Sequence, residues 1–190
     1  MPNITIFASG AGSNAREIIR HFSNHPSIKV VMIVCNKPEA GVLAVAEEAG
    51  VPTLLIEKER FFKGDGYVPE LRRAETDLIV LAGFLWKIPP AVVEAFPQFI
   101  INIHPALLPL YGGKGMYGAH VHESVIKDGQ KQSGITIHYV DNEYDHGQKI
   151  FQAFCEVEPG DTAETLAAKI HKLEHEHFPV IIEQLLDRQA

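Results

Sequence analysis

Three short stretches of this chain carry side chains spaced for chemistry. Asn102-Ile103-His104-Pro105 puts a carboxamide and an imidazole two residues apart at the end of an apolar run. In an extended chain such residues point to the same face, so Asn102 and His104 address one space. An imidazole there can donate a proton or hydrogen-bond a developing oxyanion, and the Asn102 amide can donate to the same oxygen. A second polar cluster, His138, Asp141, Asn142, Glu143 and Asp145, follows a later apolar run. One aspartate from it, set beside His104, would raise the imidazole's pKa and fix its tautomer. Spacing alone does not separate Asp141 from Asp145. The third stretch, Gly10-Ala11-Gly12-Ser13-Asn14-Ala15, follows the first apolar run and opens a helical pattern. Glycines let the backbone approach a phosphate, and a helix N-terminus supplies free N–H groups and positive potential. The spelling is that of a dinucleotide loop. A nicotinamide dinucleotide site, however, wants a carboxylate at the end of the second strand, where this chain has Cys35-Asn36. Ser13 and Asn14 instead add donors suited to a single terminal phosphate. A local role is compatible with this: Asn14 as helix N-cap, with Glu17 closing the box.

These residues need a frame. Apolar runs at Ile4–Ala8, Ile28–Cys35, Thr53–Ile56, Leu78–Ala82 and Phe99–Ile103 read as strands. Helical patterns lie between them: one bearing Ile18, Ile19 and Phe22, one over Val42–Ala49 stopped by Gly50, and a short one over Pro89–Phe96. Glu57–Thr76 is polar and broken by Gly64, Gly66 and Pro69. Strand–helix–strand order predicts an α/β fold: a doubly wound, mostly parallel twisted sheet with helices on both faces and a Rossmann-like N-terminal half. Beyond Ile103 the rhythm changes. Pro105–Gly118 is a long loop and Glu123–Asp128 a helix, and Ser133–Val140 and Gly147–Glu156 form an antiparallel C-terminal strand region. Asp161, helped by Glu164, is placed to cap a last helix with an apolar stripe of Leu166, Ile170, Leu173 and Ile181. His104 then lies at the carboxyl end of a parallel strand, where open α/β sheets bind ligands.

Composition sets the bounds. The chain has 190 residues, 46% apolar and 22% charged, which excludes a disordered or fibrous polymer. Lys and Arg number 17 against 24 Asp and Glu, a net charge of −7. That balance disfavours nucleic acid as the partner. Two cysteines, Cys35 and Cys155, sit in apolar runs and form no disulfide framework, so a reducing, cytoplasmic setting is expected. No membrane contact is expected: no apolar run reaches the length of a span, and Met1-Pro2-Asn3 lacks a basic leader. His171 and His175 have a metal-ligand spacing but no neighbouring Cys or Asp, so no metal is expected. His120-x-His122 reads as loop and helix-start residues.

Four motifs together resemble a known family. Gly12-Ser13-Asn14, Ala82-Gly83-Phe84, Asn102-Ile103-His104-Pro105 with Leu107-Leu108-Pro109, and the run His138 to Asp145 look like the phosphoribosylglycinamide formyltransferases, a branch of the folate-dependent formyltransferases. The resemblance implies one domain over residues 1–190, with a phosphate-binding half (1–100) and a catalytic, folate-binding half (101–190). It implies formyl transfer from 10-formyltetrahydrofolate to the amine of glycinamide ribonucleotide, two small-molecule substrates, without metal, and it allows a homodimer. By resemblance, His104 and Asn102 stabilise the tetrahedral oxyanion, His104 also serves as general acid, Asp145 assists proton transfer, and His138 is auxiliary. Gly12, Ser13 and Asn14 would hold the substrate phosphate and Glu174 the ribose. Lys63, Leu85, Trp86, Lys87, Ile88, Val140 and Asp141, with Asn102 and Asp145, would hold the folate. The chain departs from the family in having Leu85-Trp86 where Met-Arg is usual. Its Tyr111–Gly118 loop is longer than the common version, and its glycines and Lys114 suit a flap near a phosphate.

Overall fold

The computed structural model describes residues 1–188. Along the chain run β1 (Asn3–Ala8), α1 (Ser13–Phe22), β2 (Lys29–Cys35), α2 (Gly41–Ala49), β3 (Thr53–Leu55), α3 (Lys58–Lys63), α4 (Val68–Arg73) and β4 (Leu78–Leu81). There follow α5 (Pro90–Ala95), β5 (Ile100–His104), α6 (Ala119–Lys127), β6 (Gln132–Tyr139), β7 (Lys149–Glu156) and α7 (Ala163–Asp187). The strands form one sheet in the order β3-β2-β1-β4-β5-β6-β7. Its first five members are parallel, and β6 and β7 are antiparallel additions. Fold class and strand polarity thus match the sequence expectation, with strand ends moved by one or two residues.

Near-continuous apolar runs form these strands because both sheet faces are covered. Alternation deals the residues to two cores. Ile4, Ile6, Ala8, Ile33, Cys35, Val80, Ile101 and Ile103 pack with Ile18, Phe22, Ile170 and Phe178 of α1 and α7. Phe7, Val34, Ile79, Leu81 and Ile100 pack with Phe61, Leu71 and Val92 of α3, α4 and α5 on the other face. Each such large side chain contributes about 1.5–3 kcal/mol on burial, so a one-residue slip of a strand would exchange its two cores.

Two expectations need correction. Glu57–Thr76 holds two helices, α3 and α4, which bury Phe61, Tyr67 and Leu71. Gly64 and Gly66 separate them, and Gly66, at φ +61°, sits where a Cβ would lie 2.6 Å from Val92 Cγ2. The last helix is capped by Thr162, not Asp161. Thr162 is extended and its Oγ1 accepts from the Thr165 N–H, while Thr165 Oγ1 accepts from the Thr162 N–H (2.9 Å). Asp161 is drawn aside by Lys169 Nζ at 2.6 Å.

Candidate active site

β5 delivers Asn102 and His104 to one face, and β6 lies antiparallel beside it with His138 opposite Asn102. The hairpin loop after β6 folds back, and Asp145, held at φ +52°, brings Oδ1 within 3.6 Å of both His104 Nδ1 and His138 Nε2. Its Oδ2 accepts the Gly113 N–H at 2.8 Å, which ties this loop to the 113–118 loop. The ambiguity between the two aspartates is thereby resolved. Asp141 is half-buried and turns instead to His146 Nδ1, 3.1 Å away.

Hydrogen bonds fix the ring tautomers. A carbonyl oxygen only accepts, so His104 Nε2, 2.7 Å from the Tyr111 carbonyl, carries a hydrogen and donates it. Nδ1 is therefore the nitrogen left to exchange a proton. By the same logic His138 Nδ1 donates to its neighbour's carbonyl, Tyr139 O, and Nε2 accepts from Asn102 Nδ2 at 3.1 Å. His104 is 3% exposed, and burial holds its imidazolium below the usual range against the opposing pull of Asp145 and the Tyr111 carbonyl. Burial pushes the Asp145 carboxyl up, but nearby His138, His104 and the Gly113 N–H outweigh it, leaving a net lowering. The neutral-pH state is a carboxylate beside an uncharged imidazole.

The turn between β1 and α1 forms the opposite wall. Gly12 is left-handed at φ +81°, and a Cβ there would lie 2.8 Å from Val42 Cα, so only glycine fits. Gly12 also occupies the cap position of α1, with no side-chain cap bond. Asn14 does not cap the helix as expected. Its Nδ2 donates to Glu174 Oε2 on α7 at 3.0 Å, and its Oδ1 is buried without a partner. Glu17 pairs with Arg20 rather than closing a box. Glu174 is itself buried, and burial raises its carboxyl pKa against the Asn14 hydrogen bond and nearby His171. Where a dinucleotide site would place its carboxylate, Asn36 Oδ1 accepts from Ser9 Oγ (2.6 Å).

Both walls enclose one cleft of about 750 Å³, within the size range of small-molecule sites. Among the described residues no group of three or more His, Cys, Asp or Glu could hold a metal ion, and no helix is long and apolar enough to cross a membrane.

The sequence matches the model of the formyl transferase family over residues 2–182. The chain belongs to the formyl transferase family. It is 36% identical over 191 residues to phosphoribosylglycinamide formyltransferase of Bacillus subtilis, covering 98% of this chain and 95% of that protein. It is 40% identical over 185 residues to the chloroplastic phosphoribosylglycinamide formyltransferase of Arabidopsis thaliana, covering 94% of this chain. The chain spans about three fifths of the plant relatives' length, 63% and 61%. Among solved structures, phosphoribosylglycinamide formyltransferase from Anaplasma phagocytophilum superposes with a TM-score of 0.89 at 33% identity, covering 98% of this chain and 88% of that one.

The fold brings Gly12, Ser13, Asn14, Leu85, Trp86, Lys87, Ile88, Asn102, His104, His138, Val140, Asp141, Asp145 and Glu174 to the cleft wall. Lys63 is not among the residues lining it. It ends α3, whose Phe61 points into the core, and its side chain is 78% exposed and 3.6 Å from Glu59. Trp86 stands in an aromatic wall, its ring centroid 5.6 Å from Phe62 and 5.8 Å from Phe61, and the Lys87 ammonium lies 5.3 Å from the Tyr144 ring centre. Sequence reasoning missed two lining histidines, His122 and His171. His171 lies three residues before Glu174, a spacing that puts both on one helix face, and that spacing was the available signal.

Proposed function

We propose that the chain transfers a formyl group from 10-formyltetrahydrofolate to the amine of glycinamide ribonucleotide. The observation that carries this reading is a single cleft with the glycine turn Gly12–Asn14 at the start of α1 on one wall and Asn102, His104 and Asp145 on the other. In this reading residues 1–100 supply the phosphate anchor. Residues 101–190 supply the catalytic groups and, with Leu85 to Ile88 of the first half, the folate pocket.

The phosphate lies on the backbone N–H groups at the start of α1, with Ser13 adding its hydroxyl and Glu174 taking the ribose hydroxyls. The pterin lies between Leu85–Ile88 and Val140–Asp141. The amine attacks the formyl carbon and the carbonyl electrons move onto oxygen. Asn102 Nδ2–H donates to that oxyanion. His104 Nδ1, the free ring nitrogen, takes the proton shed by the amine. The resulting imidazolium is stabilised by Asp145, helps hold the oxyanion, and returns the proton to the departing folate nitrogen as the C–N bond breaks. His138, fixed by Tyr139, orients the Asn102 amide.

The test is to incubate the chain with both substrates and follow folate absorbance. Turnover is expected, and its absence would overturn the reading. Replacing Ser13 with Ala should raise the KM for the phosphorylated amine about tenfold, the scale of a lost hydrogen bond to a charged group, with little change in the folate KM. An unchanged ratio of the two would remove the phosphate assignment.

A further inference from the structure

His122 and His171 have no part in the mechanism above. His122 comes from α6, His171 from α7, and both line the cavity with Gly12, Ser13, Asn14 and Glu174. His122 is 4% exposed, yet its Nδ1 is buried without a hydrogen-bond partner. A buried ring nitrogen left unpaired is costly, and an incoming ligand would relieve it. Asn14 Oδ1, in the Gly12–Asn14 turn, is also unpaired, but as an acceptor it can be met only by a donor such as a substrate hydroxyl or amine, not by the dianion. His171 is exposed toward the cleft, one helical turn before Glu174.

The permanent cations on the cleft wall are Lys87 and Lys114. Lys87 lies over Tyr144, and Lys114 belongs to the loop between β5 and α6. The anion turn itself carries no Lys or Arg. A phosphate dianion seated there meets the backbone N–H groups of the turn, and His171, one helical turn before the Glu174 that holds Asn14, lines the same cleft.

We infer that His171, backed by His122, is the cationic half of the phosphate site, so that a phosphate dianion binds together with one proton held on this histidine pair. The inference rests on the phosphate reading of the Gly12–Asn14 turn, not on formyl transfer. One proton is the expected number because two neighbouring imidazoles oppose double protonation. Burial holds His122 low, with His171 and His104 adding to the effect, and His171 is the exposed member of the pair. The other groups facing the pair are Glu174 and His175 on α7, the latter stacked 6.3 Å from His171. His104 on β5 faces His122, and Glu17 and Arg20 on α1 act through His175. Glu174 opposes an anion only once it is ionised.

Sulfate is the probe, because it stays dianionic across the range and any pH dependence comes from the protein. Titration calorimetry on the full chain should show sulfate affinity falling about tenfold between roughly pH 6 and pH 8, across the ordinary imidazole range. Buffers of differing ionisation enthalpy should report about one proton taken up. His171→Lys should bind sulfate tightly with no slope and no proton uptake, and His171→Gln should bind weakly with no slope. His122→Asn should weaken binding, with thermal melting as the check on its fold. Glu174→Gln should keep the slope. A flat wild-type profile, a slope that survives His171→Gln, or a slope abolished by Glu174→Gln would each overturn the inference. A sloped profile in a chain that transfers no formyl group would sink the transfer reading alone. Formyl transfer with a flat profile would sink this inference alone.

Discussion

The sheet opens onto a depression at each end. At the amino ends of β1 and β4 a cavity of about 1010 Å³ lies among Asn3, Arg72, Asp77 and Phe96, larger than the cleft of about 750 Å³ that holds His104. At the amino end the polar groups are paired within the chain. Asp77 accepts the Asn3 N–H at 2.8 Å, Arg72 donates to the Ala95 carbonyl at 3.0 Å, and Thr5 and Thr76 share a hydrogen bond of 2.8 Å. In the cleft, Asn14 Oδ1 and His122 Nδ1 are buried and unpaired, and Asp145 holds a left-handed backbone. Volume therefore does not mark the site. Unfinished hydrogen bonding separates the two ends: of the four buried unpaired side-chain atoms among the described residues, Asn14 Oδ1 and His122 Nδ1 line the cleft, while Ser133 Oγ and His175 Nε2 line neither cavity. Strand polarity explains which end is unfinished: parallel strands deliver helix N-termini, with their free N–H groups, to their carboxyl ends.

The sharpest way to break this contrast is to remove a side chain from each end. His104→Ala should lower turnover by at least about a hundredfold, the scale of a lost acid–base group. Arg72→Ala, at the amino end, should leave turnover within about twofold, as for substitutions outside a catalytic cluster. Steady-state formyl transfer measures both. Comparable losses at the two ends would end the distinction.

A smaller effect sharpens it. Asp145 is the charge that pulls His104 upward against burial. His104 is neutral above its folded pKa and becomes charged as pH falls through it, so the rate should drop on the acid side, below the ordinary imidazole value. Asp145→Asn removes the upward pull, and the acid limb of kcat/KM should move to lower pH. The plateau should fall about tenfold, since the imidazolium loses its counter-charge. A limb that moves to higher pH, or a plateau that does not fall, would show that Asp145 acts elsewhere.

What could be read from residues alone follows the range of the forces involved. Strand positions and the pairing of Asn102 with His104 are local consequences of apolar patterning and were legible. Asp145 was not separable from Asp141, because the choice depends on a positive φ at Asp145 and on the close approach of Gly147 to the Tyr139 backbone. Lys63 failed to reach the cleft because the phase of a six-residue helix is set by Phe61, and six residues show no period. The helix cap fell on Thr162 because Lys169, eight positions along, claims the neighbouring Asp161.

That cap yields the smallest effect and a separate check on the contrast. Thr162 Oγ1 and the Thr165 N–H meet at 3.3 Å in the first turn of α7, roughly three turns before Glu174. Between cap and cleft, Leu166 and Ile170 are fully buried and anchor the helix to the sheet. Thr162→Ala should therefore fray the first turn and no more. The expected cost is about 1 kcal/mol, read as a melting temperature lower by about 2–4 °C for a chain of this size. Turnover and both KM values should be unchanged, because Glu174 and His171 are held by packing downstream of the lost bond. If Thr162→Ala instead raised the KM for the phosphorylated amine, α7 would be transmitting strain along its length. The anion end of the cleft would then depend on the helix start as well as on its own unpaired groups.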